Sequence, residues 1–403
     1  MPSPSPAPPP IDRRRVPGPP TPSTRAARTA AGLVAASLLG ACASASMARD
    51  AFTVEGSAGT VLEARALADF DAPWAMTFLP GGRALVTEKA GSLVLVGADG
   101  ARLGTIDGVP DVRPDGQGGL GDVVPHPDFA DNSLVYLSYA ERDGRDTGAV
   151  VARATLTLTD AGGGLGPLER VWEQAPKLDS TRHYGHRIAF DDEGYLYVTS
   201  GDRGRQTPAQ DLSNNLGTIV RLVDDGTPAD GNPFADRGGA ASEFWTVGHR
   251  NPLGIAGAPD GALWAHEMGP KGGDELNRIE PGENYGWPAV SDGVNYSGVP
   301  IPDHAPGDGY RAPAISWVPS VSPAGLAIYD AGLFDGWRGQ ALMGALSGRA
   351  LLRVGLDGDA AEELERFEWG ARVREVEQAP DGSVWVLEDQ PSGRLVRLVP
   401  ASG

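Results

Sequence analysis

Ala379-Pro-Asp-Gly-Ser-Val-Trp-Val386 sets a turn of proline, aspartate and glycine directly before a short apolar run rich in β-branched and aromatic residues. Proline and glycine punctuate the backbone and such runs read as strands, so the stretch predicts a turn followed by a strand. The same unit occurs upstream as Ala258-Pro-Asp-Gly-Ala-Leu-Trp264, Phe190-Asp-Asp-Glu-Gly-Tyr-Leu-Tyr-Val198 and Phe78-Leu-Pro-Gly-Gly-Arg-Ala-Leu-Val-Thr87. It occurs again in His126-Pro-Asp-Phe to Leu134-Val-Tyr-Leu137, and more loosely in Phe334-Asp-Gly-Trp-Arg-Gly-Gln-Ala-Leu342. Six such units, about 40 to 80 residues apart, predict an all-β chain built as a six-bladed β-propeller with four-stranded antiparallel blades over residues 51–403. A pair of β-sandwiches would not repeat Pro-Asp-Gly at a blade-like period. In a propeller, residues far apart in sequence converge at the mouth of the central channel.

Composition agrees. The 403 residues include 56 glycines and 35 prolines, with 40% hydrophobic and 22% charged residues, enough for a sizeable core interrupted by many turns. A net charge of −19 and a pI near 4.7 exclude a nucleic-acid partner, whose phosphates such a surface repels, and favour cation binding.

Residues 1–50 read as a leader and tether. A Pro/Ser-rich start carrying Arg13, Arg14 and Arg15 gives way to Arg25 and Arg28, a short apolar run from Ala30 to Ala41, and Cys42. Charged start, apolar stretch and small residues are the marks of a signal peptide. Leu39-Gly40-Ala41-Cys42 resembles a bacterial lipobox, which predicts lipidation at Cys42 and a place in the periplasm or cell envelope, with the membrane reached only through the lipid; free secretion after cleavage near Ala45 is the alternative. With Cys42 the sole cysteine, no disulfide is available.

Five segments carry chemistry. Asp115-Gly-Gln-Gly-Gly-Leu-Gly-Asp122 brackets Gln117 with glycines that permit close approach of a ligand. In His183-Tyr-Gly-His-Arg187, period-two alternation would put His183 and Arg187 on one face with His186 pointing away. A histidine there can take a proton from a hydroxyl, and Asp202 in Gly201-Asp202-Arg203-Gly204 could orient it. Gly248-His-Arg-Asn-Pro252 projects Arg250 and Asn251 from a rigid turn. Arg372 and Arg374 share a strand face and need an anion or an acidic partner between them. Finally, His266 to Pro288 combines a Gly269-Pro270 loop of exposed carbonyls with Asp274, Glu275, Asn277, Glu280 and Glu283, oxygen donors suited to calcium. For each segment a structural role, as turn, core histidine pair or carbonyl cap, is the competing interpretation.

Taken in order, His183 with Arg187, Gly248-His-Arg-Asn-Pro252, Gly269-Pro270 with Asp274-Glu275, and Asn284-Tyr-Gly-Trp-Pro288 resemble the soluble pyrroloquinoline quinone (PQQ) dependent aldose sugar dehydrogenases, the glucose and sorbosone dehydrogenase family, from Pro73-Trp74 to Leu398. The resemblance implies a six-bladed propeller that oxidises the anomeric hydroxyl of aldoses to lactones by hydride transfer to PQQ and hands electrons to an external acceptor. It implies His183 as general base supported by Asp202, Arg250 stabilising charge on the cofactor, and Asn251 and Gln117 contacting cofactor or sugar. Carbonyls of Gly269 and Pro270 would hold calcium at the cofactor; Glu275 and the Tyr285 carbonyl would hold a further, structural calcium; Ser320, Arg372 and Arg374 would bind the PQQ carboxylates.

Three features depart from the family pattern. Ser347 stands where a cofactor-binding lysine is expected, which predicts weaker PQQ binding unless Arg349 substitutes, and Arg182 precedes the base where the glucose-specific branch has an acid. The chain also lacks long substrate and dimer loops, which predicts broad aldose specificity and a monomer or weak homodimer. Two other readings compete: a calcium-dependent lactonase, which needs side-chain carboxylates rather than carbonyls on its ion, and a non-enzymatic calcium-binding propeller acting as a binding module.

Overall fold

The computed structural model describes residues 51–401, and Cys42 with its leader lies outside the described residues. Among the described residues the chain is all-β. Helix is confined to one four-residue turn, Phe129–Asn132, and three short 3-10 segments, and no helix is long and apolar enough to cross a membrane.

Each repeated turn joins the first two strands of a meander. At Ala379-Pro-Asp-Gly the Ala379 N–H donates to the Ser383 carbonyl at 2.8 Å, the Gly382 N–H returns to the Ala379 carbonyl at 2.8 Å, and Asp381 accepts from the Ser383 N–H at 3.0 Å. Gly382 sits at φ +82°, a conformation that only glycine adopts without strain. Ala258 to Ala262 repeats this hydrogen-bond pattern, with Gly261 at φ +83°. The recurrent Pro-Asp-Gly is therefore hairpin chemistry.

Three meanders are separate four-stranded antiparallel sheets: Gly185–Phe190 to Phe244–Val247, Pro252–Gly257 to Ile315–Trp317, and Pro323–Ile328 to Ala360–Glu368. Two more are fused into a nine-stranded sheet, because the short strand Gly162–Leu165 pairs antiparallel with Asp146–Thr159 and parallel with Arg102–Asp107. Glycine allows this approach: a Cβ on Gly104 would lie 2.0 Å from the Ala161 carbonyl oxygen. In the last sheet, strands from both ends of the chain meet, with Val61–Phe70 pairing along Gly393–Pro400 from Leu62↔Pro400 to Phe70↔Gly393.

The first strands of the meanders, Pro73–Phe78, Leu120–Pro125, Gly185–Phe190, Pro252–Gly257, Pro323–Ile328 and Val373–Gln378, touch one another in sequence, and the last touches the first. They form a closed ring of propeller type around a channel. Apolar side chains fill the space between neighbouring sheets; Tyr329, Trp337, Phe367, Val376 and Val396 are one such layer. All six first strands carry a register irregularity near their N-terminal ends. Bulges re-aim side chains, and here they do so at one mouth of the channel.

Candidate active site

Two adjoining cavities open at that mouth and share Gly116, Gln117 and Tyr296. The first, about 530 Å³, is lined by His183, Asp202, Arg250, Pro270 and Trp287. The second, about 430 Å³, is lined by Lys89, Asn251, Met268, Arg372, Arg374 and Asp389.

The expected alternation through His183 to Arg187 does not hold. His183, Gly185 and His186 all have positive φ, at +49°, +67° and +61°, and a bulge falls between Gly185 and Ile188. The pleat is broken, so the three side chains diverge. His183 faces the first cavity. His186 stacks on Trp74, with ring centroids 5.0 Å apart, its Nδ1 is 2.7 Å from Ser138 Oγ, and burial, aided by Arg187 and Arg203, holds its pKa down at about 3. Arg187 turns into the channel, where it pairs with Glu375 and, at 3.4 Å, with Asp122, and its guanidinium lies 4.2 Å from the Trp74 ring centroid. It is a channel residue, apart from the cavity that His183 lines.

His183 Nδ1 lies 2.6 Å from Asp202 Oδ1. Asp202 is buried and receives three further donors, the N–H groups of Gly204 at 2.7 Å and Gln206 at 3.1 Å and the Trp287 indole at 2.8 Å. Burial alone would raise its pKa; the bond to His183 and these donors outweigh burial and bring it below the usual carboxylate value. The His183 pKa is lowered, by burial first and with Arg250 contributing, so the ring is neutral at pH 7 with Nδ1–H directed at Asp202 and the Nε2 lone pair left for the cavity. Gln117 Oε1 accepts the His183 backbone N–H at 2.6 Å, which ties the Asp115–Asp122 loop to the base.

Glu267, which the sequence reading did not single out, shapes the Gly248–Pro252 turn. Its Oε2 accepts the Arg250 and Asn251 N–H groups at 2.5 and 3.4 Å, and its Oε1 is 2.7 Å from His249 Nδ1. Arg250 then reaches the Met268 carbonyl at 2.7 Å. Asn251 accepts from the Gly185 N–H at 3.3 Å, and its Nδ2 is buried without a partner.

In the second cavity Arg372 and Arg374 both meet Asp389, at 2.6 and 3.1 Å. The acidic partner that the same-face arginines require is thus built in. Lys89 adds a third cation, its pKa lowered by burial and by Arg374, and Arg374 Nε is buried without a hydrogen bond. Three cations against one carboxylate, with orphaned donors on Arg374 and Asn251, suit a polycarboxylate. Ser320 is turned away, donating to Asp274 at 2.6 Å; Ser322 lines the cavity instead. Ser347 bonds Ser322 Oγ at 2.8 Å and the Ser320 carbonyl at 3.1 Å, and Lys89 rather than Arg349 supplies the extra charge. A lone lysine after a strand gives no sequence signal, and Glu267 and Asp389 likewise carry no motif of their own; Trp287 lies in the Asn284–Pro288 motif, whose sequence does not reveal its bond to Asp202.

Pro270 forms part of the first cavity's wall. The chain folds back tightly there: a Cβ on Gly269 would meet the carbonyl oxygens of Gly273 and Gly272 at 2.2 and 2.4 Å. The oxygens met there belong to Gly272 and Gly273; backbone carbonyls of such a loop are donors that suit calcium. Glu275 and Tyr285 line neither cavity and are buried. Burial, with repulsion from Glu267 next, pushes the Glu275 pKa far above the usual carboxylate value. Oxygen donors surround this carboxylate, with Glu267 and Asp292 close enough to repel it and Asn277 Nδ2 donating to it at 3.1 Å; the His304 imidazole lies 3.9 Å away.

The glucose/sorbosone dehydrogenase family model matches residues 70–397, and the chain belongs to that family. It is 40% identical over 337 residues to the aldose sugar dehydrogenase YliI of Escherichia coli K12, a match covering 82% of this chain and 90% of that protein. Among solved structures, the apo form of the soluble aldose sugar dehydrogenase from E. coli superposes with a TM-score of 0.80 at 38% identity, covering 84% of this chain and 100% of that one. The PQQ-bound aldose sugar dehydrogenase of Streptomyces coelicolor follows at 0.71 and 30% identity, covering 86% and 98%.

Proposed function

We propose that this chain is a six-bladed quinoprotein of the cell envelope that oxidises the anomeric hydroxyl of aldose sugars to lactones, using PQQ and calcium and an external electron acceptor. The observation that carries the reading is the His183–Asp202 pair at 2.6 Å in a cavity that adjoins a second one ringed by Lys89, Arg372 and Arg374. Support for six blades comes from the closed ring of first strands, with the nine-stranded sheet counted as two blades joined by Gly162–Leu165.

The three cations and Asn251 would hold the PQQ carboxylates and polar edge, and the Gly269 and Pro270 carbonyls a calcium ion beside it. When bound, the quinone supplies the hydride acceptor and the calcium polarises it. His183 Nε2 takes the proton of the sugar's anomeric hydroxyl, Asp202 keeps Nδ1 protonated and steadies the imidazolium that forms, and Arg250 faces the charge that develops at the acceptor. Gln117 fixes the backbone of the base. Arg182 beside the base and the open cavity favour broad aldose acceptance over glucose selectivity. Lipidation at Cys42 would tether the enzyme to the membrane, working as a monomer or weak homodimer.

The test adds PQQ and calcium to the cofactor-free chain and follows dye reduction with a panel of aldoses, with His183→Ala as control. Activity that requires PQQ and is lost in the variant supports the reading; no activity together with no PQQ binding on titration favours the binding-module alternative. Cys42→Ala should move the protein from the membrane to the soluble fraction.

A further inference from the structure

The cavity that His183 faces carries more positive charge than the proposed proton transfer uses. Of its lining residues, Arg182, Arg205 and Arg250 are cations and Asp202 is the one acid. Asp202 is buried and already takes donors from His183, Gly204, Gln206 and Trp287, so it has no capacity left for a guanidinium. Arg250 is engaged with the Met268 carbonyl. Arg182 and Arg205 are exposed and take no part in those steps.

The backbone of Arg182 is held at both ends of its peptide unit: the N–H donates to Ser180 Oγ at 3.4 Å and the carbonyl accepts from Arg203. Its guanidinium, among the described residues, meets neither an acceptor nor an acid. The stem of the side chain lies against Gly204, since a Cβ there would be 3.8 Å from Arg182 Cδ, and Arg205 follows directly. The Arg205 N–H closes the turn on the Asp202 carbonyl at 3.0 Å, and its guanidinium makes one bond, to the Asp179 carbonyl at 3.2 Å. Acids on the neighbouring segments are committed elsewhere: the Asp179 carboxylate pairs with Arg145 at 2.7 Å, and Asp115 pairs with Arg113. Two guanidiniums on one wall, with no unsatisfied carboxylate in the cavity, repel each other unless an anion enters. In a chain of net charge −19 this wall is a local reversal of sign, and such a field draws anions in. The cations of the second cavity, Lys89, Arg372 and Arg374, have the proposed PQQ carboxylates to answer them; Arg182 and Arg205 have nothing equivalent.

We infer that the sugar preferred here is an anionic aldose, carrying a carboxylate or phosphate remote from C1, and that Arg182 and Arg205 set the preference. The guanidinium fork matches either anion, and the cavity, about 530 Å³, is of the size that small ligands occupy. The inference rests on the dehydrogenase reading for the chemistry at C1, where hydride leaves the carbon and the hydroxyl proton passes to His183 Nε2. The anion takes no part in that step. From a uronic acid the product is the lactone of an aldaric acid.

The test compares D-glucuronate, D-glucose 6-phosphate, D-glucose and D-glucosamine on the full chain. Loaded with PQQ and calcium, the wild type should use an anionic aldose about tenfold better than glucose in kcat/KM, through KM, the low end for charge-assisted bonds because the arginines are exposed. A lead for glucuronate identifies the anion as carboxylate, a lead for glucose 6-phosphate as phosphate. In Arg182→Gln/Arg205→Gln, checked for folding by circular dichroism, the ratio should fall to parity. Arg205→Glu should carry it towards glucosamine, and raised salt should erase it in the wild type. A second readout needs no turnover: in calorimetric titration of the cofactor-free chain, the anionic aldose should bind more tightly than glucose and lose that advantage in the double variant. Binding that survives the double variant would place the anion at Lys89, Arg372 and Arg374 and overturn the inference. If glucose is oxidised and neither anion is favoured, the inference falls while the dehydrogenase reading stands; if no aldose is turned over, that reading fails and the titration decides this one alone.

Discussion

Asp202→Asn isolates the orientation of the base from its presence. Four donors converge on this carboxylate: His183 and the Gly204 N–H on Oδ1, and the Gln206 N–H and the Trp287 indole on Oδ2. An amide has one oxygen for them. If that oxygen takes Gln206 and Trp287, the new NH₂ faces His183 Nδ1, forces it to accept, and moves the ring proton to Nε2, so no lone pair faces the cavity. If it takes His183, the buried Trp287 indole loses its partner at about 1–3 kcal/mol, while the N–H of the exposed Gln206 can turn to water. The first arrangement removes general-base assistance, worth about 10²–10⁴-fold, or roughly 2.7–5.4 kcal/mol of barrier. We expect kcat/KM for aldoses to fall by that factor while PQQ affinity is retained. The pH profile adds a sign. Asp202 raises the His183 pKa, against burial and Arg250, which lower it; its removal therefore shifts the acid limb of kcat/KM to lower pH. The assay is dye reduction from pH 5 to 8 with circular dichroism as a control for folding. A loss below tenfold in a folded variant, or an acid limb that moves upward, would refute the orienting role.

Arg374→Ala should weaken PQQ by about 10- to 100-fold, the worth of a charge-assisted hydrogen bond, and Lys89→Ala should do so as well; both are read by fluorescence titration with unchanged melting temperature. His186 binds protons less readily folded, at about 3, than unfolded, at about 6.5, so its neutral state contributes stability that is lost as pH falls below about 6.5. Between pH 7 and 5 the wild type should therefore lose about 2 kcal/mol relative to His186→Asn in urea unfolding. Two glycines give a paired test. A Cβ on Gly261 meets nothing within 4 Å at φ +83°, so Gly261→Ala should cost only about 1–2 kcal/mol of backbone strain, whereas a Cβ on Gly121 would sit 2.0 Å from His186 Cε1, and Gly121→Ala should prevent accumulation of folded protein.

The hairpins were legible because their turns need residues with special backbone chemistry, and those residues recur at each first turn. The strand Gly162–Leu165 left no trace, since its glycines serve a close approach between backbones and offer no apolar alternation. The site was legible where unusual residues cluster, as at His183, Arg250 and Asn251, and dark where one ordinary residue is placed by topology, as with Lys89 and Glu267. The facing of His183 and Arg187 was misjudged for a local reason: positive φ at His183, Gly185 and His186 suspends the strand period on which the inference rested. The need for a counter-charge between Arg372 and Arg374 was sound, and Asp389 meets it within the protein.

The pairing of Val61–Phe70 with Gly393–Pro400 also bears on how the molecule comes into being. Contacts between opposite ends of a chain are the slowest to form, because the whole intervening loop must be closed first. A ribosome releasing this protein from its N-terminus exposes the free edge of Val61–Phe70 until the final strand emerges, and an uncovered edge invites pairing with another chain. Removing Gly393–Pro400 should thus turn a monodisperse protein into an aggregating one, while joining the two ends and opening the chain at the Ala258–Ala262 hairpin should spare the ring.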